Sequence, residues 1–435
     1  MTSMIFYKET NLKQTPAGEI PQDWDVANLE NVVSSFENGI WGENPVPGEQ
    51  SHPVIRSTEV THDGKIDLST VAFRRIPAEK ADKYRLRDGD ILLVGSSGSS
   101  QLIGRAALFK RLNDATTYLF SNFMIRMRPK GINPGFLYYF FNSPTYYHFL
   151  RHLQQTSTGL RNLPRKEFIQ IKLPCPPPLE QQKIAEVFST IDEAIQKTSE
   201  VVAKTEQLKK ALMRELLTKG IGHTEFEDTE IGRIPKEWRI VKLGEVGTFQ
   251  YGVTTSAKKG DTGIKLLRIT DIRDNGVINW LEVPYCEVSD AELKKYALRT
   301  GEVLFARIGA TTGKTCYVDQ QIESVFGSYL IRFLLNADKE NLITKFLHHY
   351  TQSEMYWLQV NRIREGQLKK GLNTALLRNL RFPLPPLREQ QEIASILSTI
   401  DKKLEVERNE KVKLERIKQG LMDLLLTGKI RIKLS

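Results

Sequence analysis

Three stretches of the sequence carry residue types that can do chemistry, and each has a spacing to check. GATTGKT, residues 309–315, approaches the loop that cradles nucleotide phosphates with backbone N–H groups, a lysine and a hydroxyl. That loop needs four residues between its glycines, and only three separate Gly309 from Gly313. The CYVDQQIES that follows reads as strand and turn, not as a phosphate-capping helix, so ATP is not expected here. His148 and His152 are four apart and can share a helix face, but no glutamate follows His148 and no third ligand is near. Asp274, Glu292 and Lys294 can be forced into a nuclease-like spacing, yet the pattern is degenerate, and Glu292 reads better inside a helical turn, DAELKKY. An adenine-methyltransferase signature needs Asn/Asp-Pro-Pro-aromatic; here Asn44-Pro45 is followed by Val46, and Asn133-Pro134 by Gly135. Cys175, Cys286 and Cys316 stand alone, so neither zinc nor a disulfide framework is implied. No catalytic or metal site is expected in this chain.

What remains is chemistry of recognition. Polar, basic, flexible loops occur in two regions: ENGIWGENP, RRIPAEKADKYR, GSSGSSQLIGR and QQTSTGLRNLPRK, then QYGVTTSAKKGDTG, ARIGATTGKT and NRIREGQLKKGLN. Hydroxyls and backbone N–H groups suit phosphate oxygens, while Arg, Asn and Gln can fork onto base edges. The candidate DNA contacts in the first region are Trp41, Arg74, Arg75, Lys80, Lys83, Ser96, Ser97, Ser99, Gln101, Arg105, Thr156, Ser157, Arg161 and Asn162. In the second they are Tyr251, Thr254, Thr255, Lys258, Lys259, Arg307, Thr311, Thr312, Lys314, Arg362, Arg364, Gln367, Lys369, Lys370 and Asn373. Charge points the same way. The net charge is +10; residues 33–170 hold +6 of it, residues 247–379 hold +4, and the remainder is neutral. A localised basic excess suits a polyanion.

The elements that position these loops are written twice. PPPLEQQKIAEVFSTID (176–192) and PPLREQQEIASILSTID (385–401) share 11 of 17 residues at an offset of 209. TPAGEIPQDWDVANLENV (15–32) answers TEIGRIPKEWRIVKLGEV (229–246), YRLRDGDILL (84–93) answers YALRTGEVLF (296–305), and LMRELLTKGI (212–221) answers LMDLLLTGKI (421–430). A repeat this long is a duplicated domain, not a solenoid. Each half reads as an I-P-x-x-W opening, a variable block, a proline-rich stop and a long helix. The block strands are DGDILLVG, GEVLFARIG, FSNFMIRMRP and GSYLIRFLL, and each block then turns helical.

Pro176–Pro178 and Pro383, Pro385 and Pro386 suit the approach to a helix, and Glu180 and Glu389 put negative charge in its first turn. A 4,3 spacing follows. Its apolar members are Ile184, Phe188, Ile191, Ile195, Val202, Leu212 and Leu216, then Ile393, Leu397, Ile400, Leu404, Leu414, Leu421 and Leu425. No Pro or Gly interrupts residues 180–218, roughly 58 Å of helix. Helices of such length need partners of similar length, so the two are expected to pair antiparallel, with apolar Val187, Val201, Leu208, Ile396, Val406 and Ile417 left over for another protein's helices. The expected fold is α+β: two mixed α/β domains in a pseudo-two-fold repeat, joined by two long antiparallel coiled-coil helices. The expected segments are 1–178, 179–220, 221–386 and 387–435.

The order I-P-x-x-W, variable block, L-P-x-P-P-x-x-E-Q-Q-x-I-A and long helix, repeated once, resembles the specificity subunit of Type I restriction–modification enzymes. The resemblance rests on Pro174–Asp192, Pro383–Asp401, Trp24 and Trp238, and covers essentially the whole chain. It implies a non-catalytic subunit whose two target-recognition domains each read half of a bipartite, asymmetric site in double-stranded DNA. It implies that the helices set the spacer and dock two methyltransferase subunits, which two restriction subunits can join. S-adenosylmethionine, ATP and Mg are then expected on the partners and no cofactor here. Because no stretch approaches eighteen consecutive apolar residues and the N-terminus lacks an apolar signal region, a cytoplasmic chain without a membrane span is expected. The rival readings are a two-headed scaffold for proteins and a single-chain DNA-modifying enzyme. Salt-indifferent duplex binding would favour the first; cutting or modification by the chain alone would favour the second.

Overall fold

The computed structural model describes residues 5–99, 102–111, 116–155, 162–273, 275–336, 341–365 and 371–433. The chain forms two compact units, Met1–Ser199 with Asn409–Ser435, and Glu200–Arg408. Each contains one variable block and half of each long helix.

Period-two alternation explains the block. In the first unit four strands pair antiparallel in the order Val33–Asn38, Met124–Pro129, Ile91–Val94, Ala106–Leu108. The second unit repeats this with Gly247–Tyr251, Leu330–Leu335, Val303–Ala306, Thr315–Tyr317. The strands ILLV and VLFA are apolar throughout because both faces are covered. Ile91 and Leu93 enter one core and Leu92 and Val94 another, and Val303/Phe305 and Leu304/Ala306 divide the same way. Helices Pro134–Phe140 and Thr344–Tyr350 supply the aromatic wall of one core in each unit.

Each block closes on itself. Asp25–Asn28, just after Trp24, pairs antiparallel with Lys172–Cys175, and Arg239–Lys242 pairs with Arg381–Leu384. The long helices, Pro178–Thr218 and Leu387–Leu425, start immediately after these closing strands. Tryptophan and glutamate then lock the junction. Trp24 Nε1 donates to Glu180 Oε2 at 3.1 Å, and Trp238 Nε1 to Glu389 Oε2 at 2.9 Å. Arg431 adds bonds of 3.0 and 2.8 Å to Glu180 and also pairs with Asp23 and Glu9. In the second unit the Ile221 N–H donates to Glu389, and His223 Nε2 lies 3.0 Å from both carboxylate oxygens. The next residue clamps the block's helices. Gln181 accepts from the Asn133 N–H and donates to the Pro176 carbonyl; Gln390 does the same with Ile343 and Pro385. The E-Q-Q repeat is therefore more than a first-turn charge.

The helices run antiparallel within each unit. The amino-terminal half of the first meets the carboxy-terminal half of the second at Asp192–Lys418, 2.7 Å, and the opposite halves meet at Lys209–Asp401, 2.5 Å. All fourteen apolar seam residues named above are buried or half-buried. Of the apolar residues expected to be left over, Val187 is instead buried in the first unit's core, while Val201, Leu208, Ile396, Val406 and Ile417 are exposed.

The repeat diverges at one buried pair. Tyr138 and Tyr139 of the first unit correspond to His348 and His349 of the second. Tyr139 donates to Asp192 at 2.9 Å; His349 lies 3.1 Å from Ser398 Oγ and 3.8 Å from Asp401. Burial, then the positive charges of Lys345 and Lys209, pushes His349 down to about 3, and burial next to His349 and Lys345 holds His348 well below its ordinary range.

Two outcomes follow from this packing. Glu389→Ala strands the Trp238 and Ile221 donors and should destabilise the second unit by about 2–4 kcal/mol, read from denaturant unfolding by tryptophan fluorescence. Histidines held neutral when folded take up protons on unfolding, so stability is full above about pH 6.5 and falls as pH drops below it. Between pH 6.5 and 5 His349 can cost roughly 2 kcal/mol. Hydrogen exchange should show the second unit loosening more than the first, and His349→Tyr should narrow the gap.

Candidate nucleic-acid interface

The four-stranded sheet has a closing end, near Val33 and Pro129, and an opposite end where four chain segments emerge side by side. In the first unit these are the exit of strand Val33–Asn38, the exit of Ile91–Val94, the turn 121–124, and the stretch from Asn162. Main-chain bonds weld them: Ile40 N–H to Phe120 O at 2.9 Å, Gly95 N–H to Phe123 O at 2.8 Å, Leu163 N–H to Gly95 O at 2.7 Å. The second unit has the same weld: Val253 to Phe326 at 2.9 Å, Arg307 to Tyr329 at 3.0 Å, Leu372 to Arg307 at 2.8 Å. Glycine is required where strand exit meets turn, since a Cβ on Gly39 would sit 1.9 Å from Phe120 O, and one on Gly252 2.2 Å from Phe326 O. A hairpin beside this mouth is bolted in both units, Tyr146 OH donating to Gly104 O at 2.6 Å and Tyr356 OH to Gly313 O at 2.8 Å.

What the two mouths present differs. In the first, Arg74 lies over the Trp41 ring, 4.1 Å from its centroid, with Arg56 at 5.9 Å, and Arg74 also bonds Asn44. Arg75 faces Glu43 and Glu49, so two carboxylates neutralise it where it stands and raise its pKa. Ser96 donates to Asn162 at 2.6 Å, and Ser97 and Ser99 follow on the hairpin that Arg105 closes. Lys80 and Lys83 are exposed on helix Ala78–Tyr84, and Lys83 over Tyr84 is repeated by Lys295 over Tyr296, a feature of the shared frame. In the second mouth Arg307 lies over Tyr251 at 4.9 Å and reaches Ser328 O at 3.4 Å, while Tyr251 OH accepts from Thr374 N–H. The Arg307 Nε meets no acceptor among the described residues. Asn373 caps helix Thr374–Asn379 by accepting from Leu376.

Other candidates sit apart or inward. Thr254, Lys258 and Lys259 are exposed on the loop after Tyr251, where Lys258 pairs with Glu287 at 3.0 Å and Thr255 donates to the Glu287 carbonyl. Thr311 and Lys314 are half-buried on the hairpin after Arg307. Thr312 is buried there, its hydroxyl donating to Gly309 O, so its side chain is withdrawn from any ligand. Arg362 and Arg364 lie on helix Glu354–Glu365. Gln101, Thr156, Ser157, Arg161, Gln367, Lys369 and Lys370 lie outside the described residues. Reading the sequence missed Arg165, which lies over Phe36 at 5.0 Å and bonds Asn38 and the Phe36 carbonyl. Its signal was only membership of a basic loop.

The enzyme-like stretches resolve into scaffold. Residues 309–311 form a short 3-10 turn, and Thr315–Tyr317 is a strand. Glu292 caps helix Asp290–Tyr296 through the Ser289 N–H, which holds its carboxyl below the ordinary range. Asn133 caps helix Pro134–Phe140. Asp274 lies outside the described residues. Among the described residues no group of three His, Cys, Asp or Glu is placed to hold a metal, and no helix is long and apolar enough to cross a membrane.

Comparison with known proteins bears on this duplicated mouth. The family model described as the Type I restriction modification DNA specificity domain matches twice, at residues 21–206 and 235–416. The chain is 29% identical over 441 residues to the putative type I restriction enzyme MjaX specificity subunit of Methanocaldococcus jannaschii, covering 98% of each. It is 29% identical over 446 residues to the MjaVIII specificity subunit of the same organism, covering 99% of this chain and 98% of that one. Its fold is similar to a crystal structure of a Type I restriction-modification S subunit from M. genitalium, with TM-score 0.60, 13% identity, and coverage of 98% and 100% of the two chains.

Arg307→Ala should leave thermal unfolding unchanged and weaken duplex binding by about 1–3 kcal/mol, with the loss concentrated at one base position. Binding titrations against a panel of single-position variants of the target check it.

Proposed function

The chain belongs to the family of Type I restriction–modification DNA specificity subunits, and from that premise we propose how it reads. Each unit recognises one half of a bipartite, asymmetric site in double-stranded DNA through its own mouth. One observation carries this: two mouths share a backbone weld, but Asn38, Ser96, Asn162 and Arg165 stand in one where Tyr251, Arg307 and Asn373 stand in the other. A frame held constant while its presented groups change is what reading two unlike half-sites requires.

The long helices, 41 and 39 residues, fix the unread spacer between half-sites. They also dock two methyltransferase subunits. Exposed Val201, Leu208, Ile396 and Val406 serve that contact, as does a groove on the second helix lined by Asn409, Val412, Lys413, Arg416 and Ile417. Apolar side chains left in water along a helix suit another helix. Two restriction subunits can join the assembly. The chain itself performs no chemistry: S-adenosylmethionine, ATP and Mg belong to its partners, and the complex works in the cytoplasm. Exchanging residues 33–170 for the corresponding block of another specificity subunit should change one half-site and leave the other and the spacer intact. Sequencing methylated positions in a host carrying the exchanged chain with its methyltransferase gives the answer, and a change in both halves would overturn the modular reading.

A further inference from the structure

The same turn in each mouth holds a large aromatic in water. Phe123 is 56% exposed and Tyr329 55%. They occupy the same place in the repeat, one residue before the strands MIRMRP and LIRFLL. Both turns close identically, Met124 N–H to Ser121 O and Leu330 N–H to Gly327 O, each at 2.9 Å. The backbone of the aromatic is fixed from outside as well. The Phe123 carbonyl accepts from Gly95 and Ser96, the Tyr329 carbonyl accepts from Arg307, and Asn38 Nδ2 donates to the adjoining Asn122 carbonyl.

A lone exposed apolar side chain is ordinary. Two rings at matching positions, on turns welded into the surface proposed above to meet DNA, are not explained by chance exposure. Among the described residues neither ring stacks on a neighbouring aromatic at the distances that join Phe36 to Phe168 or Phe249 to Phe333. The ring has two torsions and a fixed backbone, so ordering it against a ligand costs little. The faces of both rings are apolar, and only Tyr329 carries a hydroxyl at its tip. Phe123 has no polar side-chain atom, and apolar contact at base edges reads a feature that hydrogen bonds cannot, the thymine methyl.

We infer that Phe123 and Tyr329 are specificity-determining residues, one for each half-site, each pressing its ring against a single base in the major groove. The inference rests on the units being DNA readers and adds which residue supplies the apolar part of the reading. The test uses the full chain with its methyltransferase subunits in a host whose methylated motif is sequenced. Phe123→Ala should lower base preference about tenfold at one position of one half-site, and Tyr329→Ala at one position of the other. Phe123→Tyr and Tyr329→Phe should retain both preferences. Thermal unfolding establishes that the alanine variants fold; if one does not, Phe123→Leu or Tyr329→Leu takes its place in the comparison. A wild-type motif in both alanine variants overturns the inference, even if methylation is weaker throughout. So does a loss of assembly with the methyltransferase, which would place the rings at a protein contact. If the unaltered chain directs no bipartite motif at all, the reading of the units as DNA readers fails instead.

Discussion

A carboxylate in the first turn of each long helix, Glu180 buried and Glu389 half-buried, governs how everything else is placed. An unpaired charge there would be costly, so each is surrounded by donors: Trp24 and Arg431 for Glu180, Trp238 and the Ile221 N–H for Glu389. Those donors come from segments distant in sequence, the block's opening and the stretch just beyond the opposite helix. One side chain thus joins the block, its own helix and the other helix's end. The neighbouring glutamines extend the junction to the helical layer. The block is seated on its helix by polar geometry as much as by apolar packing, which fixes orientation more narrowly than a greasy contact does.

With the base of each block so fixed, the groups presented at the far end of the sheet differ between the two units. The strands, the turns and the tyrosine bolts recur in both units, whereas the groups around them do not. Arg165 and Arg307 illustrate the economy of this. They come from different segments, yet each lies over an aromatic of the same edge strand's region, Phe36 or Tyr251. An arginine over a ring is held in orientation, and oxygens nearby add to the hold: Asn38 and the Phe36 carbonyl for Arg165, the Ser328 carbonyl for Arg307. Recognition by preorganised groups on a rigid support needs no rearrangement of the fold when specificity changes.

Much of the architecture was legible in the chain. Near-matching strings at an offset of 209 exposed the duplication, and the 4,3 run from Ile184 to Leu216 and from Ile393 to Leu425 exposed the seam. These are local periodic signals, and periodicity survives reading in one dimension. The role of Glu180 was only half visible: its first-turn charge could be read, but its partners lie 156 and 251 residues away. Val187 read as outward because the heptad describes one partner, and the block supplied another. The mouths were least legible. Candidate loops could be named from Gly, Ser and Arg, but strand register decides that Asn162 meets Ser96 and that Thr312 turns inward. Phe123 and Tyr329 looked like ordinary strand residues, since nothing in SNFMIR or GSYLIR marks the turn position that leaves a ring outside.

The first unit is assembled from both ends of the chain. Phe6–Lys8 pairs antiparallel with Ile430–Ile432, and residues 409–435 complete its core through Met422, Leu425 and Leu426. The second unit is one continuous stretch, 200–408. A ribosome therefore finishes everything the second unit needs while the first still lacks its last partner, and the segment made earliest must wait for the segment made latest. Nascent-chain order is inverted relative to sequence order: the second unit can mature first, and the first stays incomplete until the segment after Arg408 has been made.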